Sequence, residues 1–304
     1  MSAVLVVKLG ALGDLLLADG ALRDLRAHHA GERIVLLTRK PYAAMMGRCP
    51  WVDEVVADDH APRWRLDRMA ALGRRLRATG ATRAYDLQNS RRSAFYRRWL
   101  LPHARWCAGE RASGRGEAAT PVLERHARQL EACGVRSMYA RAPHPAWLAE
   151  PLPADIEGRL DAPFAVLLPG ASARHAHKRW PHYPALATLL EARGLRVFSV
   201  PGPDEMHALE RMPGQVLLDG DRPLSIAQLA SLLPRAACVF GNDSGPTHLA
   251  AHLGCRGVAL FGPGPSPART GIVRERFVAL VGDPLPALAP EQVLAAGLHP
   301  PPTP

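Results

Sequence analysis

Three short segments hold the residue types that could do chemistry. The first is KLGALGD, Lys8–Asp14, between an apolar run and a helical pattern. Gly10 and Gly13 let a backbone pass close to a ligand. Asp14 reads either as the cap of the following helix or as a carboxylate placed to take a proton. The spacing is not GxGxxG, and Arg39 and Lys40, not an acid, follow the second apolar run. A dinucleotide fingerprint is therefore poorly supported. The second segment is PGASARHAHKRWP, Pro169–Pro181, with a hydroxyl at Ser172 and cations at Arg174, Lys178 and Arg179. Such a loop can hold a pyrophosphate, or it is a solvent-exposed basic loop. The third is VFGNDSGPTHLAAHLG, Val239–Gly254. It reads as a strand, a polar turn of Asp243, Ser244 and Gly245, and a helix with Pro246 at its first position. Gly254 falls where a helix cap is expected. Unpaired amides and the positive end of a helix dipole would meet at Ser244–Thr247, which makes a phosphate site. The competing reading is an ordinary strand–turn–helix corner.

Other chemistries find less support. His175 and His177, and His248 and His252, pair at short spacing, but neither pair has an HExxH glutamate or a clear third ligand, so no metal is expected. No GxSxG elbow, Walker loop or Cys/His nucleophile pattern is present. Cys49, Cys107, Cys133, Cys238 and Cys255 are scattered and form no CxxC pair. They argue against disulfides and for a reducing cytoplasm.

Charge is unevenly placed. The net charge is +10, and Ala61–Arg125 alone carries fifteen arginines against five acids. That segment is either a set of solvated helix faces or a surface for an anionic partner. Only three lysines occur, Lys8, Lys40 and Lys178. Where nearly every cation is Arg, a lysine can mark a need for a compact ammonium.

The elements that must position these residues alternate. At 304 residues and 47% apolar content, the chain can build two medium cores. Strands are expected at Val4–Lys8, Arg33–Thr38, Val52–Ala57 and Ala84–Leu87, with helices near Asp14–His28, Trp64–Thr79, Arg91–Leu100 and Pro121–Ala132. RAPHPAWLAEPLP, Arg141–Pro153, reads as a linker. A second series follows, with strands at Phe164–Leu168, Arg196–Val200, Val216–Leu218, Cys238–Phe240 and Gly257–Phe261. Helices between them are expected at Tyr183–Arg193, Pro203–Met212, Leu224–Leu233 and from Pro246. The expectation is an α/β chain of two doubly wound parallel sheets, whose strand ends face a shared cleft. The domains are drawn at 1–147 and 148–297, with a disordered proline-rich tail at 298–304. No apolar run is long enough to span a bilayer, and the N-terminus reads as a buried strand, not a signal peptide.

Taken in order, the segments resemble glycosyltransferase family 9, the heptosyltransferases of lipopolysaccharide core assembly. The resemblance rests on VKLGALGD, YDLQNSRRS at Tyr85–Ser93, PGAS…KRWP, FGNDSGPTHLAAHLG and FGPGPSPART at Phe261–Thr270. It implies a GT-B architecture, acceptor side N-terminal and nucleotide-sugar side C-terminal. It also implies an inverting, metal-independent, cytoplasmic enzyme using an ADP-activated heptose as substrate, with no cofactor. By position, Asp14 corresponds to the family's base and Lys178 to the lysine that meets the donor phosphates. Asp243, Ser244, Gly245, Pro246, Thr247 and His248 correspond to the pyrophosphate turn, with Ser172 beside them. Glu205 matches the acid that holds the ribose, and Leu224 the backbone contact to adenine. Arg63, Arg65, Arg68, Gln88, Arg91 and Arg92 fall on the acceptor side, facing an anionic glycolipid at the inner membrane surface. One departure is Asn89, where a glycine is common.

Three other readings stand beside this one. A nucleic-acid binder would explain the charge, but no helix-turn-helix, RRM or zinc-finger signature is present, and no nucleic-acid partner is expected. A nucleotide-sugar epimerase or hydrolase on the same fold would consume donor without acceptor. A catalytically silent scaffold would keep the binding site and turn nothing over.

Overall fold

The computed structural model describes residues 2–109, 120–264 and 266–298. Arg111, Arg115 and the expected tail from His299 lie outside the described residues. Two compact units divide the chain at Met1–Trp147 and Leu148–Pro304.

The first unit holds five strands: β1 (Ala3–Val7), β2 (Arg33–Arg39), β3 (Glu54–Asp58), β4 (Ala81–Asp86) and β5 (Arg105–Ala108). Their order is β3-β2-β1-β4-β5, all parallel. Central β1 is AVLVV and wholly buried, because a parallel strand covered on both faces must be apolar throughout. Its side chains alternate between two cores. Val4 and Val6 pack with Leu22 and Leu25 of the Asp19–His28 helix. Leu5 and Val7 pack with Met69, Leu72 and Leu76 of the Leu66–Ala78 helix.

Asp19 and Asp24 tie later chain back onto this unit. Asp24 accepts the amides of Met138, Tyr139 and Ala140 at 2.8–3.1 Å. Asp19 accepts from the indoles of Trp51 and Trp147 and from the His144 amide. A Cβ on Gly20 would lie 2.0 Å from the Tyr139 carbonyl oxygen, so only glycine allows this approach.

The second unit holds β6 (Phe164–Leu168), β7 (Arg196–Ser199), β8 (Gln215–Val216), β9 (Cys238–Asn242), β10 (Gly257–Phe261) and β11 (Phe277–Val281). The order is β11-β10-β9-β6-β7-β8, again parallel. The switch of direction between β6 and β9 is where doubly wound sheets bind ligands.

Several expectations change. The helix expected over Asp14–His28 is two, Leu12–Leu17 and Asp19–His28, broken at Ala18. The expected Pro203–Met212 helix is a tight 3₁₀ segment kinked at Ala208. Edge strands β5 and β11 were not anticipated, since strand order depends on the crossovers and not on local composition. A disulfide joins Cys107 to Cys133, contrary to the cysteine reading. Scattered spacing says nothing about distance in the fold. Here β5 and the end of the Val122–Ala132 helix bring the Cα atoms to 6.0 Å, within bonding range. The cysteine argument for a reducing compartment therefore falls away.

Candidate functional site

Each unit gathers polar side chains at the C-terminal ends of its central strands. In the first unit, β1 runs out through Lys8 and Leu9 into Gly10, whose φ of +90° needs glycine. A Cβ there would also lie 2.8 Å from the Tyr42 ring. The Leu12–Leu17 helix then opens with Ala11 at its N-cap. Asp14 is therefore not the N-cap. It sits at the third helical position, half-buried, and its Oδ2 accepts the Ala11 amide at 3.1 Å. Gly13 lies inside the helix, not in the loop.

The residue just after β1 carries a buried ammonium. Lys8 Nζ donates to the Leu87 carbonyl at 3.0 Å and meets His126 Nε2 at 3.2 Å. Burial pulls its pKa down to about 8, against the opposing pull of Asp14 and Asp86. Burial also drives the His126 imidazole well below its usual range, with the Lys8 charge next in effect. Gln88, assigned to the acceptor side, turns its Oε1 to the Leu9 amide at 2.8 Å and so holds the glycine loop. Asn89 has φ +47°, a left-handed conformation that favours glycine and tolerates asparagine, which accounts for the departure at this position. Its side chain bridges the Gly109 amide and Gln129.

The arginines expected on the acceptor side divide. Arg63, Arg65, Arg68 and Arg91 are exposed. Arg92 is largely buried and committed to Asp58, at 3.2 Å, and to the Tyr96 hydroxyl. Its charge is spent inside the fold, because Asp58 has no solvent of its own.

In the second unit the helix after β9 spans Gly245–His252 with Ser244 as N-cap and Pro246 at the second position, not the first. His248 N bonds Ser244 O, and proline has no N–H, so the first-turn donors are the Gly245 and Thr247 amides. Ser244 and Thr247 hydroxyls lie 3.0 Å apart. Thr247 packs so closely on β9 that a Cβ at Gly241 would lie 2.3 Å from its Oγ1.

Lys178 and Asp243 meet beside this turn, Nζ to Oδ2 at 2.5 Å. His248 Nε2 approaches the other oxygen, Oδ1, at 3.6 Å. Burial works to raise the Asp243 pKa. Hydrogen bonds and charge from His248 and Lys178 outweigh it, and the carboxyl sits below its usual range. His248 Nδ1 is buried without a hydrogen-bond partner among the described residues. Ser172 stands at the rim, its Oγ 2.9 Å from His175 Nδ1.

Glu205 is buried and fully engaged. Oε1 accepts Arg179 at 2.6 Å and the Ala171 amide at 3.2 Å, and Oε2 accepts the Gly202 amide at 3.0 Å. It ties the loops after β6 and β7 together. Leu224 is buried just before Ser225, which caps the Ile226–Leu232 helix through the Gln228 amide. Asn242 was not singled out from sequence. Its Oδ1 accepts the Trp180 amide and the Tyr183 hydroxyl, and its Nδ2 donates to the Pro169 carbonyl. It thereby holds both ends of the Pro169–Pro181 loop against the Asp243 turn. Its place one residue before Asp243 was the available signal. Among the described residues no three His, Cys, Asp or Glu side chains gather as a metal site.

Comparison with known proteins places this arrangement. The model of glycosyltransferase family 9 (heptosyltransferase) matches residues 139–289. No curated protein matches the chain in sequence. Among solved structures, a family 9 glycosyltransferase of Veillonella parvula superposes with TM-score 0.77 at 19% identity, over 97% of this chain and 95% of that one. Escherichia coli heptosyltransferase WaaC, solved with ADP-2-deoxy-2-fluoro heptose, gives 0.72 at 20% identity, over 96% and 97%. ADP-heptose lps heptosyltransferase II of E. coli gives 0.70 at 23% identity, over 97% and 96%. These likenesses give the fold, an α/β chain of two parallel-sheet domains of the GT-B kind. Residues 139–289, about half of the chain, form a glycosyltransferase family 9 domain, and the protein is a glycosyltransferase of that type.

Proposed function

We propose that the protein moves a heptose or closely related sugar from an ADP-activated donor to a lipopolysaccharide inner-core or similar anionic glycan, with inversion. The observation that carries this reading is the Lys178–Asp243–His248 cluster at the start of the Gly245–His252 helix. A cation and the first-turn amides of a helix N-terminus converge there, a combination suited to a diphosphate. An acceptor hydroxyl oxygen attacks the anomeric carbon, and the bond from that carbon to the diphosphate oxygen breaks. Asp14 takes the hydroxyl proton. The departing ADP gathers negative charge, which Lys178 and the Gly245 and Thr247 amides stabilise. That stabilisation needs no metal in principle.

Glu205 has its oxygens engaged with protein donors, so any contact it makes with a ribose adds to those bonds. The exposed arginines of the first unit serve the anionic acceptor, and the enzyme works in the cytoplasm at the inner membrane surface. Among the described residues no helix is long and apolar enough to cross a membrane. The test is release of ADP from ADP-heptose by purified protein, with and without core acceptors. Acceptor-dependent release supports transfer. Release without acceptor would mark a hydrolase, and conversion of the sugar without ADP release an epimerase.

A further inference from the structure

Residues 62–68, PRWRLDR, are all exposed, seven in succession between β3 and the body of the Leu66–Ala78 helix. Within them Trp64 is 79% and Leu66 74% exposed. Trp99 is 60% exposed, with the Arg98 guanidinium 5.2 Å over its ring. These are three of the six large hydrophobic residues that stand out among the described residues. They belong to neighbouring elements. The Leu66–Ala78 helix packs against the Tyr96–Leu100 turn, Arg77 donates to the Leu100 carbonyl, and Arg63 reaches the Arg91 carbonyl and the Phe95 ring.

Cations surround all three. Arg63, Arg65, Arg97 and Arg98 are exposed beside them. A pocket of about 290 Å³ adjoins the segment, lined by Lys40, Arg68 and Arg75 against Asp59. The nearby acids are already answered, Asp67 by Arg65 at 3.1 Å and Asp59 by Arg68 at 3.7 Å. Exposed apolar side chains grouped on adjoining elements and rimmed by cations mark an interaction surface. Tryptophan flanked by arginine suits one environment above others, the layer where acyl chains give way to phosphates. A nucleic acid would take the arginines and stack on the tryptophans, but it has no apolar layer for Leu66.

We propose that Trp64, Leu66 and Trp99 enter the headgroup layer of an anionic bilayer, while Arg63, Arg65, Arg97 and Arg98 meet its phosphates. The proposal rests on the acceptor reading for its purpose, since it holds the protein where a lipid-linked acceptor lies. Its physical basis is independent of that reading.

The test is flotation of the purified protein with phosphatidylcholine vesicles, with and without phosphatidylglycerol. The parent should float only with the anionic vesicles. Trp64→Ser/Leu66→Ser should bind them at least about tenfold more weakly, because each buried apolar side chain contributes about that much or more. Trp99→Ser serves as a second variant. All three positions are exposed, so melting temperatures should not move. Both variants should still transfer to a delipidated, water-soluble acceptor at the parental rate. Failure of the parent to float, parental flotation of both variants, or tight duplex DNA binding without vesicle binding would overturn the proposal. Flotation of a parent that turns over no ADP-heptose would support the face and refute the transferase reading.

Discussion

Lys178 is paired before any donor arrives, and that complicates its removal in a useful way. Its Nζ lies 2.5 Å from Asp243 Oδ2, with side-chain exposures of 26% and 13%. Lys178→Ala should lose a charge-assisted contact to the diphosphate, worth about 1.5–3 kcal/mol, or roughly ten- to hundredfold in ADP affinity. It also strips the nearest cation from a mostly buried carboxylate. Asp243 then repels the diphosphate, its pKa rises, and the fold loses stability. A double variant separates the two effects. In an Asp243→Asn background a neutral amide replaces the carboxylate and needs no cationic partner. If Lys178 meets the phosphates, Lys178→Ala should still weaken ADP binding there by roughly tenfold or more. The assay is calorimetric titration of ADP into all four proteins at one ionic strength, with melting temperatures alongside. Agreement of Asp243→Asn and the double variant within about twofold would refute a phosphate contact, because non-additivity would then assign the whole effect to the pair.

Asp14→Asn keeps an oxygen for the Ala11 amide, so the melting temperature should hardly move, while transfer falls by about 10²–10⁴-fold; near-normal turnover in a folded variant would leave Asp14 only as the acceptor of the Ala11 amide. Lys8 is held protonated at neutral pH against burial that pulls its pKa from 10.5 to about 8. Below pH 8 both states carry the proton and the full cost of burial is felt; between about 8 and 10.5 the folded state sheds it first, so stability rises with pH. In urea titrations the parent should therefore gain about 2 kcal/mol relative to Lys8→Met between pH 7 and about pH 9.5, and a difference that stays constant would contradict the buried charge. Glu205→Gln keeps only one acceptor oxygen and no charge, so it should lose the ion pair with Arg179 or the Gly202 amide bond and lower stability by about 1–3 kcal/mol, with weaker ADP binding as the loops after β6 and β7 separate; an unchanged melting temperature would show that the tie carries nothing.

The sequence alone determined the class of this protein. Strands such as Ala3–Val7 and Phe164–Leu168 are short, apolar and buried on both faces, so composition and alternation were enough to name a parallel α/β chain. Gly10, Gly245 and Pro246 announced their turns because backbone sterics are local. The ordered motifs then pointed to the glycosyltransferase family whose model covers residues 139–289.

What each polar side chain does was decided only by the tertiary structure. Arg92 and Arg91 are neighbours in one basic run, yet one is drawn inward by Asp58 and the other is exposed, because helix phase and a partner 34 residues away choose between them. Gln88 binds the Leu9 amide across 79 residues, and Asn242 at the end of β9 staples both ends of the loop that follows β6. Cys107 and Cys133 come together only because β5 and the helix ending at Ala132 converge. Local sterics and hydrophobic periodicity act over a few residues and are legible in a chain. Burial, pairing and the pull on Lys8 and Asp243 depend on what the fold brings from far along it, and no spacing records that.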